Sequence, residues 1–142
     1  NEQFVRISSR LLDRCLNFQA FPVFCRHGYG YGQDEDQGQL GAWYVMSALG
    51  LFDVKGLTEI DPKFQIGAPL FDKVTVRLNK DYYPGEKFVI EAKKQAVGDC
   101  YLQDISLNNR PQDTVQLPFS EVVKGGKLVL GLGASPNEEL TH

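Results

Sequence analysis

Residues 34–52 read DEDQGQLGAWYVMSALGLF, so three acidic residues run almost directly into a long apolar segment. In that segment, from Leu40 to Phe52, apolar side chains cover every face of a helix. A helix that is apolar all round has to be enclosed all round. The segment therefore predicts a buried helix. Because one further helix and a small sheet are too little to enclose it, we expect it to pack against protein beyond these 142 residues.

The sequence before the acidic residues predicts one amphipathic helix and a long loop. Apolar residues recur at steps of three and four from Phe4 to Cys15, with charged residues between them, which is the pattern of a helix with a single apolar face. Residues 18–36 contain several glycines, Pro22 and the acidic residues, and they predict a loop. Loops of this length without regular structure are usually functional or held by contacts.

Beyond residue 53 the apolar period changes to two, which predicts half-buried β-strands. Turn sequences separate the alternating segments, so we expect an antiparallel, β-rich and sandwich-like segment. The chain divides accordingly into a helical part, 1–52, and a β-rich part, 53–142, and its fold class is α+β. One helical turn is predicted at 119–123 with Ser120 as its N-cap. The inward-facing sets are expected to be Val74, Val76 and Leu78; Phe88, Ile90 and Ala92; Tyr101, Gln103, Ile105 and Leu107; and Leu128, Leu130 and Leu132.

Composition excludes several classes of partner. The formal net charge of −3 provides no basic surface for nucleic acid or for anionic membrane. No apolar run approaches the roughly 20 residues that span a bilayer. The chain starts at Asn1 with no methionine, and we therefore expect it to be an excised or processed piece of a longer protein.

Spacing alone leaves several interpretations of the acidic residues open. Asp36 stands where the N-cap of the next helix is expected, with Gln39 three residues on, which resembles a capping box. Asp34 and Asp36 are also spaced like the start of a calcium loop, but Val45 replaces its essential glutamate, and only a looser oxygen site remains. The glycines of 28–32 do not follow the dinucleotide-binding pattern. The fourth interpretation is general acid/base catalysis by paired carboxylates, as in glycoside hydrolysis.

The stretch 34–52 resembles the signature of glycoside hydrolase family 92, the calcium-dependent exo-acting α-mannosidases of bacteria. The likeness continues beyond it. IGAPLFDKV at 66–74 looks like the family's strand entry after its last barrel helix, and residues 87–92 and 101–108 resemble its later strands. Residues 124–137 resemble its C-terminal end. The resemblance thus spans the chain from about residue 30 and implies the C-terminal end of a much longer enzyme.

The resemblance implies a fold and a mechanism. The family joins a β-sandwich to an (α/α)6 barrel that holds the active site, so the helices of this chain would be the last helices of the barrel. The family inverts configuration, which makes Asp36 by position the general base and Asp34 its partner. Tyr29 and Tyr31, in the same loop, are candidates for the rim of the sugar site, because an aromatic ring can stack on a sugar face.

The resemblance also implies what this chain lacks. The family's general acid is a glutamate upstream of the motif, and no residue before position 30 matches it. The family's calcium also has its ligands mostly upstream, so we assign no metal ligand in this chain. The chain alone is therefore expected to be inactive. The parent enzyme is expected to be periplasmic or secreted and to cleave α-mannosidic linkages, α-1,2 among them, in mannose-containing glycans. The alternative is a non-catalytic β-module that binds carbohydrate or braces a barrel.

Overall fold

The structure is a computed structural model that describes residues 39–53, 55, 58–137 and 140. The amphipathic helix predicted from Phe4 to Cys15 and the loop predicted over 18–36 lie outside these residues and stay predictions. Two α-helices and eight strands form the regular part of what is described. In chain order they are α1 (Gln39–Leu49), β1 (Leu51–Phe52), β2 (Lys63–Ile66), β3 (Lys73–Arg77), β4 (Lys87–Lys94), β5 (Tyr101–Leu107), β6 (Arg110–Gln112), β7 (Gln116–Pro118), α2 (Phe119–Val123) and β8 (Gly126–Gly133).

The strands form two sheets, one of three strands in the order β1-β2-β7 and one of five in the order β3-β4-β8-β5-β6. The prediction of an antiparallel sheet is wrong for one pair, because β8 lies parallel to β4. The reason is geometric. The chain reverses between β4 and β5, and β8 then inserts between them. A strand placed between two oppositely directed neighbours must be parallel to one of them, and β8 is antiparallel to β5.

Period-two burial confirms most of the predicted strands. The inward side chains of β4 and β8 are the most deeply buried, and Phe88, Leu128 and Leu130 have no exposed surface. Side chains from both sheets, such as Phe64 of the smaller and Ile90 of the larger, belong to one hydrophobic core. Burial on one face and solvent on the other is the arrangement that the alternating sequence predicts.

A β-bulge in β5 overturns part of the predicted inward-facing set. Leu102 pairs with Leu132, but the next paired residue is Asp104, opposite Gly131, so Gln103 is the extra residue of the bulge. The bulge reverses the side-chain parity, and Leu102 is buried in place of the predicted Tyr101 and Gln103. A side chain at position 131 would collide with the Asp104 carboxylate, so the glycine makes room for it.

The predicted turns are present, but the predicted cap of α2 is wrong. Asn108 and Asn109 both have positive φ, 51° and 64°, and link β5 to β6 in a two-residue hairpin turn. The Asn108 side chain accepts a hydrogen bond from the backbone N–H of Lys127 at 2.8 Å, which ties the turn to β8. Helix α2 begins at Phe119 after Pro118 and has no side-chain cap, so Ser120 lies within the helix.

Helix α1 ends earlier than the apolar pattern predicts. It ends at Leu49, and Gly50 has a φ of 77°, which stops the helix in a conformation that favours glycine. Leu51 and Phe52 then form strand β1, paired with β2, instead of continuing the helix. Nor do the described residues enclose α1 on every side, since Tyr44 and Val45 are 41% and 54% exposed. The division of the chain at residue 52 stays a prediction.

The described helices include none that is both long and apolar enough to cross a bilayer.

One carboxylate on the outer face of the larger sheet has a shifted pKa. Glu91 of β4 lies between two lysines, 2.6 Å from the Lys127 nitrogen and 3.2 Å from the Lys73 nitrogen. Hydrogen bonds from Lys127 and then from Lys73 lower the pKa of Glu91 below its ordinary value of 4.5. A carboxyl with a lowered pKa in the folded state stabilises the fold above its unfolded pKa and stops doing so as the pH falls through its folded pKa.

We therefore expect Glu91→Gln to destabilise the fold at pH 7, with a difference from wild type that shrinks as the pH falls below about 4.5. Thermal denaturation of both proteins at pH 7 and at about pH 3 checks this. Glu86→Gln is the matched control, because Glu86 also pairs with a lysine, at 3.5 Å, but is 75% exposed. Its effect at pH 7 should be the smaller one. A Glu91→Gln difference that does not change with pH contradicts the assignment.

Candidate functional site

All four predicted site residues lie outside the described part of the chain. Asp34 and Asp36, predicted as the base and its partner, and Tyr29 and Tyr31, predicted as rim residues, stay predictions. The structure does describe the element that follows them directly. The described part of α1 begins at Gln39, three residues after Asp36 in the sequence, so α1 is the described element nearest to the acidic residues along the chain.

Backbone hydrogen bonds fix the C-terminal end of α1 to the loop after β2. The N–H of Gly50 donates to the Ser47 carbonyl at 3.0 Å and closes the last turn of the helix. The N–H of Gly67 donates to the Gly50 carbonyl at 2.8 Å, and the N–H of Leu70 donates to the Ala48 carbonyl at 3.0 Å. We call this connection between residues 48–50 and 67–70 the Gly50 joint. It couples the helix to the sheet through main-chain groups that side-chain motion does not alter.

Packing supports the same end of the helix. Ala48 is 3% exposed, Leu51 belongs to the hydrophobic core, and Met46 packs against that core. Trp43, one turn nearer the acidic residues, is half-buried. Burial thus increases from Gly41 toward the Gly50 joint along the part of α1 whose side chains are described.

A concave region of about 820 Å³ lies beside the connection between β4 and β5. It contains two acidic residues that the sequence analysis did not single out. Asp99 is buried, and its carboxylate accepts hydrogen bonds from the backbone N–H groups of Gln95 and Ala96 at 2.9 and 2.8 Å. Asp72 pairs with Lys94 at 2.9 Å. Each acid thus has a structural partner, and this cleft does not present an opposed pair of carboxylates for acid/base chemistry.

Comparison with known protein families identifies the chain. Residues 18–134 match the model of the glycosyl hydrolase family 92 catalytic domain, and this range is well over half of the chain. The chain belongs to glycosyl hydrolase family 92. The matched range includes the acidic residues, α1 and the strands as far as β8. No curated protein matches the chain significantly.

Solved structures of family 92 proteins share the fold. The inverting mannosidase BT2199 of Bacteroides thetaiotaomicron is 31% identical, with a TM-score of 0.68 over 94% of this chain and 17% of its own. The glycosyl hydrolase ccman5 is 27% identical, with a TM-score of 0.63 over 73% of this chain and 13% of its own. The α-mannosidase BT3965 of Bacteroides thetaiotaomicron, at 24% identity and a TM-score of 0.60 over 70% of this chain and 13% of its own, shares the fold. The chain therefore spans less than one fifth of the length of these relatives.

The described residues do not fit the calcium that the family resemblance implies. Calcium in proteins takes six to eight oxygen ligands, with carboxylates prominent among them. Among the residues that the structure describes, no group of three or more acidic, histidine or cysteine side chains is placed to hold a metal ion. No chemical step of the described residues is therefore assigned to a metal.

Proposed function

We propose that this chain is the C-terminal part of an exo-acting α-mannosidase that inverts configuration. Its helical part would complete an (α/α)6 catalytic barrel, and its β-rich part would follow the barrel. The observation that carries the proposal is the family 92 catalytic-domain match, which runs through the acidic residues and on through α1 and the sheets. A 31% identical relative described as an inverting mannosidase, which aligns with 94% of the chain, supports the same assignment.

The proposed reaction is a single displacement at the anomeric carbon. Asp36 takes a proton from a water molecule, with Asp34 beside it to orient that water, and the water oxygen bonds to the anomeric carbon as the glycosidic bond breaks on the opposite face. A carboxylic acid from elsewhere in the enzyme protonates the leaving oxygen. Tyr29 and Tyr31 form the rim of the sugar site in this proposal. Since the acid is contributed from outside, the isolated chain is inactive.

The exposed part of α1 is consistent with a place inside a larger helical domain. Tyr44 and Val45 expose apolar surface in the middle of the described helix. Burying a fully exposed apolar side chain is worth about 1.5–3 kcal/mol, and covering the exposed half of each of these would contribute roughly half of that. We propose that this face packs against the remaining helices of the catalytic barrel, and that the rest of the polypeptide is the partner of this chain.

We propose that the calcium implied by the family resemblance would have its ligands mostly outside this chain and would help to bind the sugar. We also propose a periplasmic or secreted enzyme. Its substrates are mannose-containing glycans, with α-1,2 linkages the first to test. Mannoimidazole, which is present in a solved structure of BT3965, is the matching probe of the sugar site.

The stereochemistry of the product tests the proposal. We expect the intact enzyme to release mannose from α-1,2-mannobiose, and proton NMR during the first turnovers should show the β-anomer before mutarotation. The isolated 142-residue chain should release none. If the α-anomer appears first, the enzyme is retaining, and the assignment of Asp36 as a base acting on water is wrong.

The second candidate is a non-catalytic β-module that binds carbohydrate or braces a barrel. Its support is that the described strands form two sheets that share one hydrophobic core. An intact protein that binds mannose-containing glycans but does not cleave them, with Asp36→Asn leaving binding unchanged, would favour it.

A further inference from the structure

The extra residue of the β5 bulge makes contacts with the chain that follows β8. We call the described residues after β8, which are 134–137 and 140, the strap. A bulge leaves its extra residue out of the strand ladder, and the main-chain groups of that residue need other partners. For Gln103 the strap supplies one, because the side-chain amide of Asn137 donates a hydrogen bond to the Gln103 carbonyl at 2.9 Å.

The side chain of Gln103 makes a second connection to the strap. Its Nε2 donates to the Ser135 carbonyl at 2.6 Å and, more weakly, to the Tyr101 carbonyl at 3.3 Å. The two connections run in opposite directions, since the Gln103 side chain donates to the strap and the Gln103 main chain accepts from it. The hydrogen bonds to Ser135 and Asn137 therefore hold the strap at two points on a single residue.

Gly133, the last residue of β8, leaves space for this arrangement. A Cβ atom at position 133 would lie 2.9 Å from Cγ and 3.0 Å from Cδ of Gln103. The Gln103 side chain thus crosses β8 directly over Gly133 on its way to Ser135. A methyl group at position 133 would push it aside, and because that side chain is flexible the backbone need not move.

The strap also contributes to the hydrophobic core. Leu140 is 9% exposed and belongs to the core that the two sheets share. It follows Asn137 by three residues in the sequence, a distance that the chain can span over at most about 11 Å. The hydrogen bonds at Gln103 therefore restrict where the chain can return to the core, and they favour the position in which Leu140 is buried.

We propose that the β5 bulge is a clasp, in which Gln103 holds the strap closed and so keeps Leu140 in the core. The strap opens by breaking the clasp, and the sheets stay intact when it does. Strand β8 can remain in place because it pairs with β4 on one side and with β5 on the other. Local opening of one segment while the paired strands stay protected is a common property of native proteins. The clasp is a property of the fold and does not depend on the proposed function.

Proteolysis of the intact protein at Leu140 tests the clasp. Thermolysin cleaves on the N-terminal side of leucine, and it can reach Leu140 only when that side chain has left the core. Under conditions in which closing is faster than cleavage, the rate of this cut follows the population of the open strap. We expect Gln103→Ala to raise the rate about 5- to 10-fold, since one side-chain hydrogen bond to the strap is lost. Mass spectrometry identifies the cut before Leu140.

Two further variants separate the clasp from a general loosening of the sheet. Gly133→Ala should raise the cleavage rate in the same direction, because the added methyl group displaces the Gln103 side chain. Gln112→Ala is the matched control. Gln112 is a glutamine of the same sheet whose amide donates to the Arg110 and Pro111 carbonyls of its own strand. Its variant should stay within about twofold of the wild-type rate.

The outcomes are distinct. A Gln103→Ala rate within twofold of wild type overturns the clasp, and so does an equal rise in Gln112→Ala. Cleavage of the wild-type protein as fast as a free peptide of residues 134–142 would show that the strap is not held closed. Hydrogen exchange of the β4 and β8 amides in Gln103→Ala should stay within about twofold of wild type. Faster exchange there would show that the strap does not open independently of the sheet. If Gly133→Ala does not fold, Gln103→Ala decides alone.

Discussion

Asp36→Asn in the intact enzyme is expected to lower kcat by about 10²- to 10⁴-fold, the range that a general base contributes. Asparagine keeps the size and the capping ability of aspartate but cannot accept the proton of the attacking water. We therefore expect the folded structure and the melting temperature to change little. Steady-state hydrolysis of α-1,2-mannobiose, with circular dichroism on the same samples, measures both quantities.

The neighbouring acid provides the control for this substitution. Glu35 lies between Asp34 and Asp36 in the sequence and has no role in the proposed reaction. Glu35→Gln removes one charge from the same segment and should retain activity within a few-fold of wild type. Equal activity losses in the Asp36 and Glu35 variants would indicate a general electrostatic effect. Full activity of Asp36→Asn would rule out its role as the base and leave the helix cap and the looser oxygen site as interpretations.

Phe88→Ala is expected to lower the local free energy of unfolding of the larger sheet by about 3–5 kcal/mol. Phe88 lies in β4, has no exposed surface and belongs to the core that both sheets share. Truncation removes its transfer free energy and leaves a cavity, which β8 and β3 on either side cannot readily close. Hydrogen exchange of the β4 and β8 amides in the intact enzyme measures the loss without requiring two-state unfolding of the whole protein.

Tyr82→Ala is the control for the core substitution. Tyr82 is also aromatic, but it is 79% exposed in the connection between β3 and β4. Its truncation should change the same exchange free energies by no more than about 0.5 kcal/mol. A Phe88→Ala effect below about 1 kcal/mol would show that the two sheets do not share the tightly packed core described above.

The strands were predictable because burial on one face leaves a period of two in the sequence. Leu128, Leu130 and Leu132 were predicted to face inward, and all three are buried. The bulge at Gln103 was not predictable in this way, because an extra residue reverses the parity without altering composition. The direction of β8 relative to β4 depends on which strands β8 lies between. The alternation of apolar residues within one strand does not predict its neighbours in the sheet.

The residue at which α1 ends was also not predictable from the local sequence pattern. The apolar run continues through Leu51 and Phe52, but Gly50 adopts a positive φ and the two residues after it pair with β2. A glycine near a helix end is the sequence signal for such a stop, but the apolar run on both sides of Gly50 predicts a helix that continues through it. The roles of Asp34 and Asp36 came from the family resemblance, since their spacing fits a helix cap equally well. The Gly50 joint depends on contacts between residues 17 positions apart, which local sequence patterns do not reveal.

A crystal structure of the intact enzyme with mannoimidazole would test the central claim most directly. It would locate the carboxylates of Asp34 and Asp36 relative to the sugar. We predict a water molecule within hydrogen-bond reach of Asp36, about 2.6–3.2 Å, on the face of the anomeric carbon opposite the leaving group, with Asp34 contacting the same water. Carboxylates that contact only backbone N–H groups at the start of α1, with neither reaching the sugar pocket, would contradict the claim.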